Sequence, residues 1–224
     1  MALAPHAPNV ALALLSRRHG GFRAALYARI GQRAAAGACL AGTRGSGANE
    51  LLLSATLSLD DGNPDTHLAQ LNRALAAFRL EPVVRRDDGA PFTLHNLTGT
   101  DVAPVDGPLV SVIMPARNTE RYIDTALSGL ASQSWRNLEI IVVDDASEDG
   151  TSDRVRAWAD REPRIRLIRA ASAGGPYCAK NLALQLARGQ FVTFHDSDDW
   201  SHPRRVERHV LPLLADPKLC ATTS

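Results

Sequence analysis

Cysteine is scarce in this sequence, with three residues in a chain of 224. They stand at Cys39, Cys178 and Cys220, and no two of them have a C-x-x-C spacing. An odd count without that spacing argues against both a disulfide framework and a zinc site. Because free cysteines persist in a reducing compartment, we expect the protein to be cytoplasmic.

Long apolar runs are missing as well. No apolar stretch of the sequence approaches the roughly 18 residues that a membrane-spanning helix requires. No G-x-G-x-x-G fingerprint follows the first strand predicted below, which disfavours a dinucleotide-binding oxidoreductase. The formal net charge of +1 gives no reason to expect a nucleic acid as a partner.

Acidic residues are absent before Glu50, whereas six arginines precede it: Arg17, Arg18, Arg23, Arg29, Arg33 and Arg44. Apolar residues at helical spacing accompany them, so the segment is predicted to be helical. We favour a helical hairpin whose arginines are simply solvated. Two alternatives stay open, namely an amphipathic helix in peripheral contact with anionic lipid at the inner face of a membrane, and an organellar transit peptide.

Composition and periodicity divide the chain into three parts. Residues 1–84 are predicted to form a small α-helical N-terminal region. Residues 85–107 are rich in Asp, Gly, Pro and Thr, which is typical of a linker. Residues 108–224 have a different pattern and are predicted to form a separate domain.

In the third part, apolar runs alternate with segments of helical length. The runs cover residues 109–114, 138–143, 164–168 and 191–194, and each is predicted to be a buried strand. Gly174, Gly175 and Pro176 open a helix predicted to run to Arg188, with Gly189 just after its end. This alternation predicts an α/β domain with an open, mainly parallel sheet covered on both faces.

Three carboxylates, Asp196, Asp198 and Asp199, closely follow the last predicted strand. Crowded carboxylates repel one another and resist ionising together. A divalent cation among them would offset this repulsion, and oxygen ligands suit Mg²⁺ or Mn²⁺. On these residues alone, a solvated acidic turn is an equally good interpretation.

Four blocks in the third part occur in one order with suitable gaps: residues 110–118, 138–147, 179–181 and 195–200. Together they resemble the nucleotide-binding half of a family 2 glycosyltransferase with the GT-A fold, a Rossmann-like open sheet. The resemblance covers about residues 108–224. It implies a metal-dependent enzyme that transfers a sugar, with inversion, from a UDP-sugar donor to a polysaccharide or other glycan acceptor.

The resemblance also implies a role for particular residues. The donor-binding residues it implies are Pro115, Ala116, Arg117, Asn118, Asp144, Asp145, Gly174, Gly175, Lys180, Asp196 and Asp198. Of these, residues 115–118 would close over the base and ribose, and Asp145 with Asp144 beside it would accept hydrogen bonds from the uracil edge or ribose. Asp199, helped by Asp198, would hold Mn²⁺ or Mg²⁺. Lys180 would reach the diphosphate, although a solvated surface lysine is the alternative.

The catalytic general base is not identified. In this family it follows the metal-binding motif at a distance, which places it beyond Ser224. We therefore expect a truncated chain or a fragment. The alternatives are a chain that another subunit completes and a nucleotide-sugar-binding module without catalytic activity. His195, which precedes the acidic cluster, is predicted to be a packed strand-end histidine and not a metal neighbour.

Overall fold

The computed structural model describes residues 11–12, 15, 20–42 and 47–223. The chain divides into two compact units, residues 1–84 and residues 85–224. Arg17, Arg18 and Arg44 of the basic segment lie outside the described residues.

The first unit is mainly helical where it is described, which confirms the predicted helical character. Its helices are α1 (Gly20–Arg29), α2 (Arg33–Ala41), α3 (Ala48–Asp60) and α4 (Pro64–Ala77). Gly31 separates α1 from α2 with a φ of +77°, a backbone conformation that glycine adopts without steric strain. Asn63 caps α4, because its side-chain oxygen accepts a hydrogen bond from the Thr66 N–H at 3.1 Å.

The helical-hairpin interpretation assumed that the arginines of this unit are all solvated, but at least one of them is bonded to the protein. The Arg23 guanidinium donates to the Leu12 and Leu15 carbonyl oxygens, each at 2.9 Å, and to the Tyr27 hydroxyl at 3.1 Å.

Among the described residues, no helix combines the length and the apolarity needed to span a membrane.

Part of the stretch predicted to be a linker, residues 85–107, is ordered by specific hydrogen bonds. It contains the end of β1 (Val83–Arg85), a 3₁₀ turn (Leu94–Asn96) and β2 (Leu97–Gly99), and the two short strands form a small sheet. The buried Asn96 side chain accepts from the Asp87 N–H at 2.9 Å and donates to the Asp87 carbonyl at 2.8 Å. Further along, the Val105 N–H donates to the Ser134 carbonyl at 2.7 Å. This stretch, although rich in turn-forming residues, therefore contains short elements that are held by hydrogen bonds.

The predicted α/β domain with a parallel sheet is confirmed in the second unit. The strands are β3 (Val110–Ala116), β4 (Leu138–Asp144), β5 (Ile165–Arg169) and β6 (Phe191–Phe194). The helices are α5 (Ile123–Ala131), α6 (Thr151–Ala159), α7 (Pro176–Leu184) and α8 (Arg205–Ala215). The strand order is β5-β4-β3-β6, and every pairing is parallel. The carboxyl ends of β3, β4 and β6 therefore lie at the same edge of the sheet.

Both faces of this sheet are covered, as predicted. Val112 and Met114 of β3 pack on one face with residues of α5 and α8, among them Leu127 and Val206. On the other face, Ile113 and its neighbours in β4 pack against Ala179 and Ala183 of α7. Because successive side chains of a strand point to opposite faces, an almost uninterrupted apolar strand serves both cores.

The predicted end of α7 is wrong. The helix ends at Leu184, so Gly189 does not lie just after its end. The Arg188 N–H donates instead to the Glu139 carboxylate at 2.6 Å, and the Gly189 N–H donates to the Ser111 hydroxyl at 2.8 Å. Because Glu139 of β4 and Ser111 of β3 accept these hydrogen bonds, the backbone at residues 188–189 is not helical. Gly189 instead lies in close contact with the sheet.

Candidate functional site

A cleft of about 470 Å³ opens at the carboxyl edge of the sheet in the second unit. Open α/β sheets bind ligands at this edge. Eight of the residues predicted to form the donor site line it: Pro115, Ala116, Arg117, Asp145, Gly175, Lys180, Asp196 and Asp198. Residues at or after the ends of all four strands of the sheet therefore meet in one cavity.

Asp145 follows β4 and is almost fully buried, with 3% of its surface exposed. Its two carboxylate oxygens accept hydrogen bonds from the Gly174 N–H at 2.7 Å and the Gly175 N–H at 2.8 Å. Its own N–H donates to the Ala116 carbonyl at the end of β3. Asp145 thus holds the glycine loop against the two central strands. Because a carboxylate can accept about four hydrogen bonds, it keeps acceptor capacity for a ligand.

Asp144 lies next to Asp145 in the sequence but is fully buried and is not among the residues that line the cleft. One of its oxygens accepts from the Ser147 N–H at 3.0 Å, and the other accepts from the Ser152 hydroxyl and faces the Arg169 Nε at 3.3 Å. Burial alone would raise the pKa of Asp144, but these hydrogen bonds and the charge of Arg169 outweigh it and lower the pKa. The structure favours a turn-stabilising carboxylate over the donor contact predicted for Asp144.

Asn118, like Asp144, is not among the residues that line the cleft. It has a φ of +51°, its side-chain oxygen accepts from the Glu148 N–H at 2.9 Å, and its own N–H donates to the Ser147 hydroxyl at 3.0 Å. These contacts fasten the loop after β3 to the loop after β4. Arg117, one residue earlier, is exposed and lines the cleft.

The glycine loop requires glycine at one position. Gly175 precedes α7 with φ +83° and ψ 170°, a region essentially restricted to glycine. Gly174 is packed differently, since a Cβ there would lie 2.9 Å from the Cβ of Cys178. The loop can therefore pass close to the cleft while both of its N–H groups point at Asp145.

The acidic cluster after β6 is divided between two cavities. Asp198 lines the cleft, whereas Asp199 lines an adjacent pocket of about 250 Å³ that shares Lys180 and Asp196 with the cleft. Burial and, after it, the negative charges of Asp198 and Asp196 raise the pKa of Asp199. The Lys180 ammonium lies 3.5 Å from an Asp196 carboxylate oxygen and 5.4 Å from the centre of the Phe194 ring. Lys180 is thus a partner of the cluster, not a solvated surface lysine.

The donor set suits a magnesium-type ion that is completed by a ligand. Among the described residues, no group of three or more metal-binding side chains is preassembled. Asp198 and Asp199 supply two carboxylates, and Mg²⁺ commonly binds through one or two carboxylates together with substrate phosphates. Burial and, after it, repulsion from Asp198 and Asp196 raise the pKa of Asp199, and a nearby cation would relieve that repulsion.

His195 is packed at the end of β6, as predicted. It is 4% exposed, and its Nδ1 lies 2.8 Å from the Asp196 carbonyl oxygen. Burial, followed by the nearby charge of Arg205, lowers the pKa of His195 to about 4. The imidazole is therefore neutral at physiological pH.

Sequence reasoning missed Tyr177, which lines the cleft with 79% of its surface exposed. It also missed Ser201 and Arg205, which line the adjacent pocket. An aromatic residue directly after Gly-Gly-Pro was a usable signal for Tyr177. Neither Ser201 nor Arg205 carried such a signal. Arg205 reaches the pocket through a tertiary contact, in which its guanidinium donates to the Phe194 carbonyl at 2.8 Å.

Comparison with known proteins places these features in a family. Residues 111–224 match the family described as glycosyl transferase family 2. The chain is 34% identical over 103 residues to an uncharacterized glycosyltransferase of Haemophilus influenzae, covering 46% of this chain and 41% of that protein. It is 37% identical over 110 residues to the Escherichia coli UDP-Glc:alpha-D-GlcNAc-diphosphoundecaprenol beta-1,3-glucosyltransferase WfgD, covering 49% of this chain and 43% of that protein.

A solved structure of S. aureus TarS 1–349 in complex with UDP-GlcNAc is 33% identical to this chain. The match covers 47% of this chain and 31% of that chain, with a TM-score of 0.44. The chain spans less than half of the length of the two curated relatives named above. Because the family match takes in more than half of its residues, the chain belongs to glycosyl transferase family 2.

Proposed function

We propose that this chain binds a UDP-sugar together with Mn²⁺ or Mg²⁺ in the cleft at the carboxyl edge of its sheet. The bound sugar is then transferred, with inversion, to a polysaccharide or other glycan acceptor. The observation that carries the proposal is the convergence of Asp145, Lys180 and Asp198 from three separate segments on one cavity.

The nucleoside end of the donor fits the part of the cleft around Asp145. A uracil edge or a ribose offers donors, and a carboxylate that only accepts is a suitable partner. Arg117 and the exposed Tyr177 line the same cavity and offer flat faces on which a base can stack. The name of WfgD specifies a UDP-glucose donor for that protein, which supports the UDP class for this chain.

The diphosphate fits the part of the cleft near the acidic cluster. Asp198 and Asp199 would hold the divalent cation, which supplies charge stabilisation for a leaving diphosphate. Lys180 lines the cleft with its ammonium beside Asp196, so it can approach a phosphate as a point charge. Together these groups would favour cleavage of the bond between sugar and phosphate by stabilising the charge that develops there.

Inverting transfer also needs a group that accepts the proton of the attacking hydroxyl. We assign that role to no residue of this chain. The chain's own residues are proposed to bind and orient the donor and to stabilise its leaving group.

Titration calorimetry with UDP, with and without Mn²⁺, tests the proposal. We expect UDP to bind more tightly in the presence of Mn²⁺. Asp199→Asn should remove most of that gain, a loss of about tenfold or more, because a neutral amide is a poorer ligand for a hard cation.

Asp153→Asn is the matched control. Asp153 is an exposed carboxylate of α6 that pairs with Arg156, and it lies outside the cleft. UDP that gives no binding heat with Mn²⁺, or equal losses in the two variants, would refute the proposed site.

A further inference from the structure

The strand β6 lies at the end of the strand order, and one of its two sides is open. In the described part of the chain, β6 is hydrogen-bonded to β3 and to no other strand. The N–H groups of Phe191 and His195 donate to carbonyl oxygens on the β3 side, at 3.5 Å and 3.0 Å. Because backbone groups alternate in direction along a strand, the N–H and C=O groups of Val192 and Phe194 face the open side.

The open edge of β6 also lacks the features that usually protect an exposed strand. Natural sheets guard their edges with charged side chains, with proline or with bulges. The strand at the opposite edge, β5, carries Arg166 and Arg169, whereas β6 contains neither a charged residue nor a proline. Val192 and Phe194 are 41% and 42% exposed. An apolar and unguarded edge of this kind is suited to accept a further strand.

A groove of about 610 Å³ lies against this edge, and we call it the strand groove. It is lined by β6, by residues of α8 that include Val210 and Leu213, and by residues 220–223. Residues 220–223 are held to α8, since the Thr222 hydroxyl donates to the His209 carbonyl at 3.1 Å, and they are not paired with β6. Because an occupant that pairs with β6 must also fit beside residues 220–223, the groove suits one extended segment and not the edge of a second sheet.

The charge of the strand groove indicates one property of its occupant. Among the described residues that line it, none carries a carboxylate, whereas Arg205 contributes a guanidinium. The Arg205 Nη2 donates to the Phe194 carbonyl, and its Nη1 is buried without a hydrogen-bond partner in the described structure. Arg205 also lines the adjacent pocket with Asp196 and Asp199, so the two cavities share its charge. In the groove, a carboxylate near Phe194 would meet a cation and no like charge, whereas a lysine would be repelled.

We propose that the strand groove binds one extended segment of another polypeptide, which adds a strand to the sheet beside β6. The backbone of the segment pairs with Val192 and Phe194, its apolar side chains contact α8, and a carboxylate near one end contacts Arg205. Strand addition of this kind takes its affinity from backbone hydrogen bonds and its specificity from side chains. The inference is independent of the proposed donor site.

Fluorescence anisotropy with the full chain and a labelled synthetic peptide tests the proposal. The probe is Glu-Val-Thr-Val-Thr-Glu, blocked at both termini, and its two glutamates make it independent of strand direction. It should bind at least about fivefold more tightly than the same peptide with lysine at both ends. Arg205→Gln should reduce this preference to less than about twofold, because the amide carries no charge.

A proline in β6 tests the backbone pairing separately from the charge. Val192→Pro removes an N–H that faces the groove and leaves the bonds to β3, so the acidic peptide should bind at least about tenfold more weakly. Leu167→Pro in β5 is the matched control at the other edge of the sheet. Its N–H faces away from β4, by the same alternation that places the Ala170 N–H on the Asp144 carbonyl. That variant should bind the peptide within about twofold of wild type, and circular dichroism checks that both variants fold.

Binding that Val192→Pro removes and Leu167→Pro retains supports the proposal. Absence of binding by either peptide, or equal losses in the two proline variants, overturns it. Equal affinity for the acidic and the lysine peptide overturns the assignment of a carboxylate. A chain that sediments as a dimer, and that Val192→Pro converts to a monomer, also overturns the proposal, because β6 would then pair with a second copy.

Discussion

Asp144 and Asp145 show that the surroundings of a carboxylate determine its role. They are adjacent in the sequence and chemically identical, yet one is enclosed among Ser147, Ser152 and Arg169 while the other holds the glycine loop of the cleft. Successive side chains at a strand end point to opposite sides, so neighbouring carboxylates meet different environments.

Substitution of each aspartate should separate these roles. Asp145→Asn keeps one acceptor for two glycine N–H donors, so the loop should loosen and UDP affinity should fall about tenfold. Asp144→Asn should lower the free energy of unfolding by about 1–3 kcal/mol through its buried hydrogen bonds and leave the affinity of folded protein within about threefold. Denaturant unfolding and calorimetry measure the two effects. Similar affinity losses in both variants would restore a donor contact for Asp144.

At the scale of elements, the turn before α7 depends on a backbone conformation. Gly175→Ala should destabilise the protein by about 1–3 kcal/mol, because its φ of +83° and ψ of 170° are strained for any residue with a Cβ. Gly37→Ala is the matched control within α2, where nothing lies within 4 Å of an added Cβ. That change should be neutral or stabilise by up to about 1 kcal/mol. Equal effects in thermal unfolding would contradict the argument.

A buried carboxylate joins several elements at the opposite edge of the sheet. Glu139 of β4 accepts from the Ser111 hydroxyl of β3 at 2.6 Å and from the Arg188 N–H, and it pairs with the Arg188 guanidinium at 3.0 Å. Burial alone would raise the pKa of Glu139, but these hydrogen bonds and the charge of Arg188 outweigh it and lower the pKa below its ordinary value of 4.5.

The pH dependence of this contribution has a definite sign. Because the folded state holds the pKa of Glu139 below 4.5, the unfolded state binds more protons as the solution is acidified. Glu139→Gln should therefore cost about 1–3 kcal/mol near pH 7, and the difference should shrink as the pH falls through the folded-state pKa. Urea unfolding from pH 7 to pH 3 measures it. Glu148→Gln, an exposed carboxylate, should change stability by less than about 0.5 kcal/mol at every pH.

At the scale of the whole molecule, both apolar clusters around the parallel sheet lie in the second unit. The cleft and the adjacent pocket that Asp199 lines are there too. A unit with its own core is expected to fold alone. Residues 85–224 should therefore unfold cooperatively and bind UDP with Mn²⁺ within about threefold of the full chain. A fragment that is unfolded by circular dichroism would show that the first unit is needed for folding.

Much of the second unit was predictable because its strands are continuous apolar runs. Phe191–Phe194 was predicted with the observed bounds, and the other strands differ by one or two residues at their ends. Residues 85–107 were not predictable from composition, because Asn96 orders its neighbours through contacts that composition does not encode. The end of α7 was missed for a related reason, since Glu139 and Ser111 bind the N–H groups of Arg188 and Gly189.

The sequence by itself determined the alternation of strands and helices and the presence of carboxylates just after strands, because these depend on local periodicity and residue type. Only the tertiary structure decided which of those carboxylates reach the cleft, and that Ser201 and Arg205 line the adjacent pocket. Those outcomes depend on the strand order β5-β4-β3-β6 and on the packing of α8 against the sheet. Contacts between residues far apart in the chain determine the strand order and the packing of α8, and local sequence patterns do not predict such contacts.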